Sequence, residues 1–261
     1  MSTRPNSMPR FYRWRSNALQ SPVLAVVTAV CGTTALLVSL VENSGRLQHR
    51  IARVWARGCL WAAWSRVTII GAENFGKQKV AVYVSNHTSY MDTPVIFAAL
   101  PFQFRILAKK SLWSWPFIGW WLNRSGQMPV DTENPQATLS SLGGGVKALR
   151  SGMPLFVFPE GGRTVEGQLQ PFLSGAAYLA IRAQVPLVPM ALSGVYDLLP
   201  IHTHHFYPSK LTLQVGEPIE TKGMTVRQID ELTERMRQAI AGMLEEPEQA
   251  EVEVAAPAPV S

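Results

Sequence analysis

Charged side chains are scarce in this 261-residue chain. Asp, Glu, Lys and Arg make up 16% of the residues and apolar residues 47%, whereas a typical soluble domain has roughly 25% charged residues. The apolar content excludes a disordered chain, a collagen and a nucleic-acid-binding arm. Few charges combined with a net charge of +6 favour a protein that contacts a membrane.

Cysteine is also scarce. Cys31 and Cys59 are the only two, and both lie in apolar stretches. This pattern excludes a disulfide framework and a cysteine-based metal site. We therefore expect a reducing environment on the cytoplasmic side of a membrane, and for a bacterial-type cell the inner membrane.

Acidic residues are almost absent from the first quarter of the chain. Residues 1–70 contain nine arginines and one acid, Glu42, whereas residues 246–261 contain acids and no base. The basic excess therefore belongs to the N-terminal part, where it predicts contact with a bilayer that has anionic headgroups. A nucleic-acid partner is not expected, since these arginines flank an apolar run and do not line the rest of the chain.

Residues 1–66 predict a pair of membrane-associated helices that anchors the protein. Residues 22–41 carry no charge, and twenty helical residues match the roughly 30 Å hydrocarbon core of a bilayer. Residues 51–66 combine tryptophans with a basic helix face, which is typical of an interfacial helix. A signal peptide or a core helix is the alternative for the first segment, and a helix packed on the domain for the second. Spanning and single-leaflet insertion both remain open.

Residues 67–245 predict an α/β domain, with a mostly parallel or mixed central sheet flanked by helices. Short β-branched runs alternate with helical stretches throughout this region. Thr225 and Gln228 predict a capping box that opens a helix to about Glu245, and Gly143 to Gly145 predict a break in a helix over 136–150. Residues 246–261 lack any periodicity and predict a disordered acidic tail. The strands are expected at 67–70, 80–85, 103–108, 154–158, 186–191 and 211–215.

The first candidate site is His87 with Asp92, directly after the apolar run that ends at Ser85. An imidazole titrates near neutral pH, and a carboxylate on its second nitrogen would orient it as a general base. The two side chains can meet only if His87 lies in the strand-to-helix turn and Asp92 in the first helical turn. A structural alternative needs no catalysis, because Ser89 could cap the helix with Asp92 at its third position.

The second candidate site is the stretch from Phe158 to Arg163, which follows another apolar strand. Gly161 and Gly162 free the backbone to turn its N–H groups toward an anion, and the Arg163 guanidinium can bind a phosphate through two hydrogen bonds. Glu160 could orient Arg163 or a substrate hydroxyl. A turn with a surface ion pair is the alternative.

In this order, these motifs resemble the glycerolipid acyltransferase family, over about residues 67–220. Its Asn-His-x4-Asp motif is matched by Asn86, His87 and Asp92, and its Phe-Pro-Glu-Gly motif by the stretch 158–163. The proline-bracketed strand 185–189 and the lysine segment at Lys109 are also similar. Two departures are Thr132 and Leu173, which stand where the family usually has an arginine and a lysine.

The resemblance implies transfer of a fatty acyl group from acyl-CoA or acyl carrier protein to a lysophospholipid, most specifically to the sn-2 hydroxyl of 1-acylglycerol-3-phosphate. It implies His87 as the base and Asp92 as its orienting partner, and Lys109, Glu160, Gly161, Gly162 and Arg163 in substrate binding. Neither a metal nor another cofactor is expected. Thr132 and Leu173 leave a different lysolipid acceptor as an alternative, and a non-catalytic membrane-binding protein is the alternative from another class.

The segment 112–121 contains four of the eight tryptophans. Tryptophan concentrates at the headgroup level of membranes, but a core helix explains the same composition. The sequence leaves these two interpretations open.

Overall fold

The structure is a computed structural model that describes residues 10–42, 44–78, 80–131, 135–164, 167–201, 203–245 and 252–253. A single mixed sheet forms its centre, with the strand order β4-β3-β5-β2-β6-β7-β1-β8. β4, β3, β5, β2 and β6 run parallel to one another, and β7 and β1 run in the opposite direction. The strands are β1 (Val67–Ile70), β2 (Val82–Ser85), β3 (Arg105–Lys109), β4 (Met128–Val130), β5 (Leu155–Val157), β6 (Leu187–Ser193), β7 (Leu211–Val215) and β8 (Val252–Glu253).

Helices cover both faces of the sheet. Along β2, Tyr83 belongs to the core on one face, whereas Val82 and Val84 belong to the core on the other. This alternation is what a central strand with period-two side chains produces. The helices are α1 (Arg10–Arg15), α2 (Ser21–Val38), α3 (Arg46–Ala62), α4 (Asn74–Lys77), α5 (Asp92–Ala99), α6 (Ile118–Arg124), α7 (Pro135–Arg150), α8 (Gly175–Ala183), α9 (Val195–Leu198) and α10 (Ile229–Glu245).

The predicted α/β class is confirmed, as a mixed sheet with helices on both faces. The helix to Glu245 opens with the expected capping box, in which Thr225 and Gln228 bond reciprocally. The break predicted at the three glycines is wrong, because α7 continues through them. At Gly145 a Cβ would lie 2.6 Å from Leu179 Cδ2, so this glycine allows α7 to pack closely on α8.

The N-terminal segment is one long helical run from Arg10 to Val38, in which a π-helical turn at Ser16–Gln20 joins α1 to α2. The run is long and apolar enough to cross a membrane, and only 6% of its apolar window is buried. α3 packs antiparallel on α2, and a Cβ at Gly58 would lie 2.6 Å from Val27 Cγ1. The helical run therefore begins earlier than the uncharged residues 22–41 alone predict.

Polar side chains join this helix to the end of α3 and to the segment before β7. The buried Arg15 donates to the Phe206 carbonyl oxygen, and Gln20 donates to the Ala63 carbonyl oxygen. Phe206 N–H donates in turn to Ser16 Oγ. The predicted disordered tail lies outside the described residues, except for Val252–Glu253, which pair with β1.

Candidate active site

The two predicted sites meet at one edge of the sheet. His87 follows β2 and Glu160 follows β5, and these two neighbouring strands run parallel. The carboxyl ends of parallel strands lie at the same edge, which is where open α/β sheets bind their ligands. The fold therefore brings the Asn-His-x4-Asp motif and the Phe-Pro-Glu-Gly motif together, although they are about seventy residues apart.

His87 and Asp92 form a hydrogen-bonded pair. His87 Nδ1 lies 2.8 Å from Asp92 Oδ2, and the Asp92 side chain is fully buried. Because a carboxylate only accepts, Nδ1 is the donor, and in the neutral imidazole the lone pair is therefore on Nε2. In this arrangement the buried Asp92 carboxylate fixes the orientation of the His87 ring.

The backbone holds Asp92 in place. The N–H groups of Thr88 and Ser89 both donate to Asp92 Oδ2, at 2.5 and 2.8 Å. The Ser89 hydroxyl accepts from the Met91 N–H at 3.2 Å, just before α5, and donates to the Leu199 carbonyl oxygen at 2.7 Å. Asp92 thus orders the turn as the structural alternative requires, and in the same position it binds His87.

The His87 ring is also fixed by an aromatic neighbour. It stacks on Phe158, with ring centroids 3.9 Å apart and planes 11° from parallel. Phe158 in turn contacts the buried Phe156 edge-on. The sequence placed Phe158 in the motif without a role. In the structure its ring covers one face of the imidazole and so restricts rotation of the His87 side chain.

Asn86 connects the turn to β6. Its side-chain amide donates to the Leu192 carbonyl oxygen at 2.9 Å and accepts from the Leu192 N–H at 2.8 Å. Asn86 is buried, so this paired hydrogen bond satisfies a polar group that would otherwise be costly to bury. Its effect is to hold the start of the His87 turn against the neighbouring strand.

Glu160 contacts the His87 backbone. One carboxylate oxygen accepts from the His87 N–H at 2.6 Å and the other from the Gln170 N–H at 2.9 Å. The partners of Glu160 in the structure are thus two backbone N–H groups, whereas the sequence predicted Arg163 or a substrate hydroxyl. Burial raises the pKa of Glu160 to about 7, and the nearby Asp92 carboxylate adds to this rise, whereas the two N–H donors oppose it.

Arg163 lies over the ring of Tyr90. Its guanidinium carbon is 3.5 Å from the centre of the Tyr90 ring, which is a close cation–π contact. Gly161 has a φ of +71°, a conformation that glycine adopts without steric cost. At Gly162 a Cβ would meet no heavy atom within 4 Å, so there is open space beside this part of the turn.

Three further positions complete the comparison with the sequence. Lys109 ends β3 with an exposed side chain, at the same edge as His87 but two strands away. Leu173 is exposed and lies against the Gly161 turn, where a Cβ would be 2.8 Å from Leu173 Cδ1. Thr132 lies outside the described residues. The proline-bracketed stretch enters β6, which is central and not an edge strand.

The raised pKa of Glu160 predicts a pH-dependent stability. A folded-state pKa of about 7, above the ordinary value of about 4.3 for a glutamate side chain, means that folding favours the protonated acid. This contribution to the free energy of unfolding is fully present below about pH 4.5 and is lost as the pH rises through about 7. Glu160→Gln should therefore flatten the fall in Tm between pH 5 and pH 8, measured by thermal unfolding. The exposed Glu217→Gln is the control, and an unchanged slope in the Glu160 variant would contradict the prediction.

Comparison with known proteins gives the class first. A family model described as Acyltransferase matches residues 66–193. The fold is similar to the crystal structure of the 1-acyl-sn-glycerophosphate (LPA) acyltransferase PlsC from Thermotoga maritima. The TM-score is 0.76 at 23% identity, with 92% of this chain and 98% of that chain covered. The chain is an O-acyltransferase.

Two relatives define the family more closely. The 1-acyl-sn-glycerol-3-phosphate acyltransferase of Chlamydomonas reinhardtii is 30% identical over 237 residues, which is 90% of this chain and 68% of the relative. The one from Saccharomyces cerevisiae is 28% identical over 236 residues, which is 87% of this chain and 77% of the relative. The chain belongs to the 1-acyl-sn-glycerol-3-phosphate acyltransferase family. It spans about half to four-fifths of the length of the curated relatives that it matches.

Proposed function

We propose that the protein transfers a fatty acyl group from acyl-CoA or acyl carrier protein to the sn-2 hydroxyl of 1-acylglycerol-3-phosphate, with His87 as the general base. The observation that carries the proposal is the His87–Asp92 pair, with Nδ1 bound to a fully buried carboxylate. This leaves Nε2 to take the proton of an acceptor hydroxyl. General-base catalysis of this kind contributes roughly 10²–10⁴-fold to the rate.

The acyl group passes directly from the thioester to the acceptor, without an acyl-enzyme. His87 Nε2 takes the hydroxyl proton while the acceptor oxygen forms the new ester bond, the C–S bond breaks, and the leaving thiolate takes the proton from the imidazolium. The buried Asp92 carboxylate stabilises the imidazolium while it exists. The nearby Ser89 hydroxyl is buried and bonded to the Leu199 carbonyl oxygen, so it does not favour an acyl-enzyme route.

Arg163 and the turn at Gly161 and Gly162 bind the acceptor phosphate in this proposal. The Tyr90 ring holds the guanidinium from one side, and the open side of the glycine turn leaves room for the anion. A hydrogen bond to a charged group contributes roughly 1.5–3 kcal/mol, or about 10- to 100-fold in affinity. Lys109, at the same edge of the sheet, adds a further positive charge there.

Arg163→Gln should therefore raise KM for 1-acylglycerol-3-phosphate by about 10- to 100-fold, with a smaller change in kcat. The measurement is initial-rate kinetics at several acceptor concentrations. The control is Arg182→Gln, which removes an exposed arginine near the C-terminal end of α8. It should leave KM and kcat unchanged. A loss confined to kcat would contradict a phosphate-binding role for Arg163.

A second candidate acceptor is another lysophospholipid or a lyso-aminolipid. The observation that favours it is Leu173, an exposed apolar side chain that packs against the Gly161 turn. Thiol release, measured for each pair in a panel of acceptors and acyl donors, separates the two candidates. A clear preference for 1-acylglycerol-3-phosphate would exclude the second one. The non-catalytic alternative is disfavoured by the intact His87–Asp92 geometry.

The long N-terminal helix supports a membrane location for the enzyme. It is apolar and largely exposed, and α3 beside it exposes Val54 and Trp61. Both substrates of the proposed reaction carry acyl chains, so an active site at the bilayer surface would reach them directly. We propose that residues 1–66 anchor the enzyme on the cytoplasmic side of an anionic membrane, for a bacterial-type cell the inner membrane.

A further inference from the structure

The end of the segment after β3 and the first turn of α6 expose a cluster of large apolar side chains, here called the aromatic loop (residues 115–120). Phe117 is 73% exposed, and the neighbouring residues of the cluster are 44–56% exposed. A group of adjacent, exposed, large apolar residues marks an interaction surface more often than single scattered ones do. The members are Trp115, Phe117, Ile118 and Trp120.

Phe117 is held in an unfavourable backbone conformation. Its φ is +63°, a value that is rare for bulky residues. The turn is tight, because a Cβ at Gly119 would lie 2.0 Å from the Trp113 carbonyl oxygen. The Gly119 N–H bonds to Trp115 and the Trp121 N–H to Phe117 across it. A strained residue that points a phenyl ring into solvent is explained by a function of that ring.

The aromatic loop lies at the edge of the sheet that contains His87. β3 runs parallel to β5, and β5 to β2, so all three strands end at this edge. The chain enters β1 and β7 at the same edge, because these two strands run in the opposite direction. The described start of the N-terminal helix is also there, since Arg15 and Ser16 bond Phe206, shortly before β7.

A second group of exposed aromatic residues therefore lies at this edge. Trp64, just before β1, is 61% exposed, and like Phe117 it has a positive φ, of 55°. Trp61 is the last tryptophan of α3, and Phe11 and Trp14 belong to α1. Each of these three is at least 59% exposed. The aromatic loop and this second group thus share the edge of the sheet at which His87 lies.

The charge around the aromatic loop fits an anionic surface. From residue 93 to residue 130 the sequence contains four basic residues and no acidic one, and one of the four, Lys110, pairs with Asp131 at 3.2 Å. The last residue of α6 is joined to the end of the apolar helix, because Arg124 donates to the Ser39 carbonyl oxygen. Tryptophan and basic residues together are typical of the headgroup layer of a membrane.

We propose that the aromatic loop inserts into the same lipid surface as the N-terminal helices, so that the protein contacts the bilayer at two places on the edge that contains His87. The strained turn at Phe117 presents the phenyl ring to the acyl chains just below the headgroups. That the partner is a lipid bilayer rests on the proposed function, but the experiments below measure membrane binding and do not depend on turnover.

The first experiment locates position 117 relative to the bilayer. A Cys31→Ala, Cys59→Ala form of the full chain receives either Phe117→Cys or Val226→Cys, each labelled with bimane. Val226 is also exposed, but it lies just before α10, near the C-terminal end of α8. On vesicles of phosphatidylcholine and phosphatidylglycerol that contain brominated lipid, we expect the label at 117 to be quenched several-fold more than the label at 226.

Two results of this experiment would overturn the proposal. In one, the label at 117 remains accessible to iodide and unquenched by brominated lipid while the protein co-sediments with the vesicles. In the other, the label at 117 becomes protected without lipid as the protein concentration rises, which would assign the loop to contacts between copies of this chain.

A second variant separates membrane binding from folding. Phe117→Gly removes the ring and relieves the positive φ, since glycine adopts this conformation readily. We expect an unchanged or higher Tm together with a vesicle partition coefficient that is roughly tenfold lower, and Phe117→Trp should restore partitioning. A lower Tm with unchanged partitioning would show that Phe117 only packs, and would overturn the proposal.

Discussion

His87→Ala should lower kcat by roughly 10²–10⁴-fold, which is the usual contribution of a general base. The structure gives the reason: His87 is the residue whose Nδ1 is held by the buried Asp92 carboxylate. With the imidazole removed, the acceptor hydroxyl loses the group that takes its proton. KM for the acceptor should change little, because the proposed phosphate contacts at Arg163 remain. The measurement is acceptor-dependent thiol release by the purified full chain in detergent.

The matched control is His204→Ala, which removes an exposed histidine in the segment before β7. It should retain wild-type kcat. Thermal unfolding of both variants shows whether the fold is intact, since His87 contributes its ring stack on Phe158 to the turn. A folded His87→Ala enzyme with kcat near that of the wild type would contradict the assignment of His87 as the base.

Asp92→Asn should also lower kcat by about 10²–10⁴-fold, because the base then loses its orienting charge. The amide oxygen still accepts from the Thr88 and Ser89 N–H groups, so the turn retains most of its order. Asp92→Ala removes that acceptor as well. It should destabilise the protein by roughly 1–3 kcal/mol for each buried donor that it leaves unpaired.

The two Asp92 variants separate catalysis from structure. Asp92→Asn should have a large effect on kcat with a small change in Tm, whereas Asp92→Ala should affect both. Asp230→Asn, at the exposed start of α10, serves as the control for the chemical change. If Asp92→Asn retained full activity, Asp92 would act only in ordering the turn.

The sequence predicts the main strands because their signals are local. Apolar β-branched runs identify β1, β2 and β7 to within two residues, and each of the two motifs directly follows a strand, β2 or β5, as expected. β4 was not predicted. It has only three residues, one of them a proline on an edge strand, and this is too short for a period-two pattern to show.

The contacts around His87 depend on residues far apart in the chain. Glu160 accepts from the His87 N–H across seventy-three positions, and neither residue type by itself indicates this partner. The stack of His87 on Phe158 and the contact of Arg163 with Tyr90 each join one motif to the other. Such contacts depend on the order of the strands in the sheet, and local sequence patterns do not predict that order.

The glycines of α7 show how packing can outweigh propensity. Glycine is unfavourable in a helix interior, which is why a break was expected at Gly143 to Gly145. The close approach of Leu179 to Gly145 explains why the helix continues. A side chain at that position would push α7 away from α8, and only the tertiary structure reveals this.

The most direct test of the proposed reaction is thiol release with and without acceptor, in parallel with phosphatidic acid formation. With an acyl thioester and 1-acylglycerol-3-phosphate, the wild-type enzyme should release one thiol for each phosphatidic acid formed. His87→Ala should release almost none, and neither enzyme should release thiol when the acceptor is omitted. A stoichiometric burst of thiol without acceptor, or equal rates for the wild type and His87→Ala, would contradict direct transfer with His87 as the base.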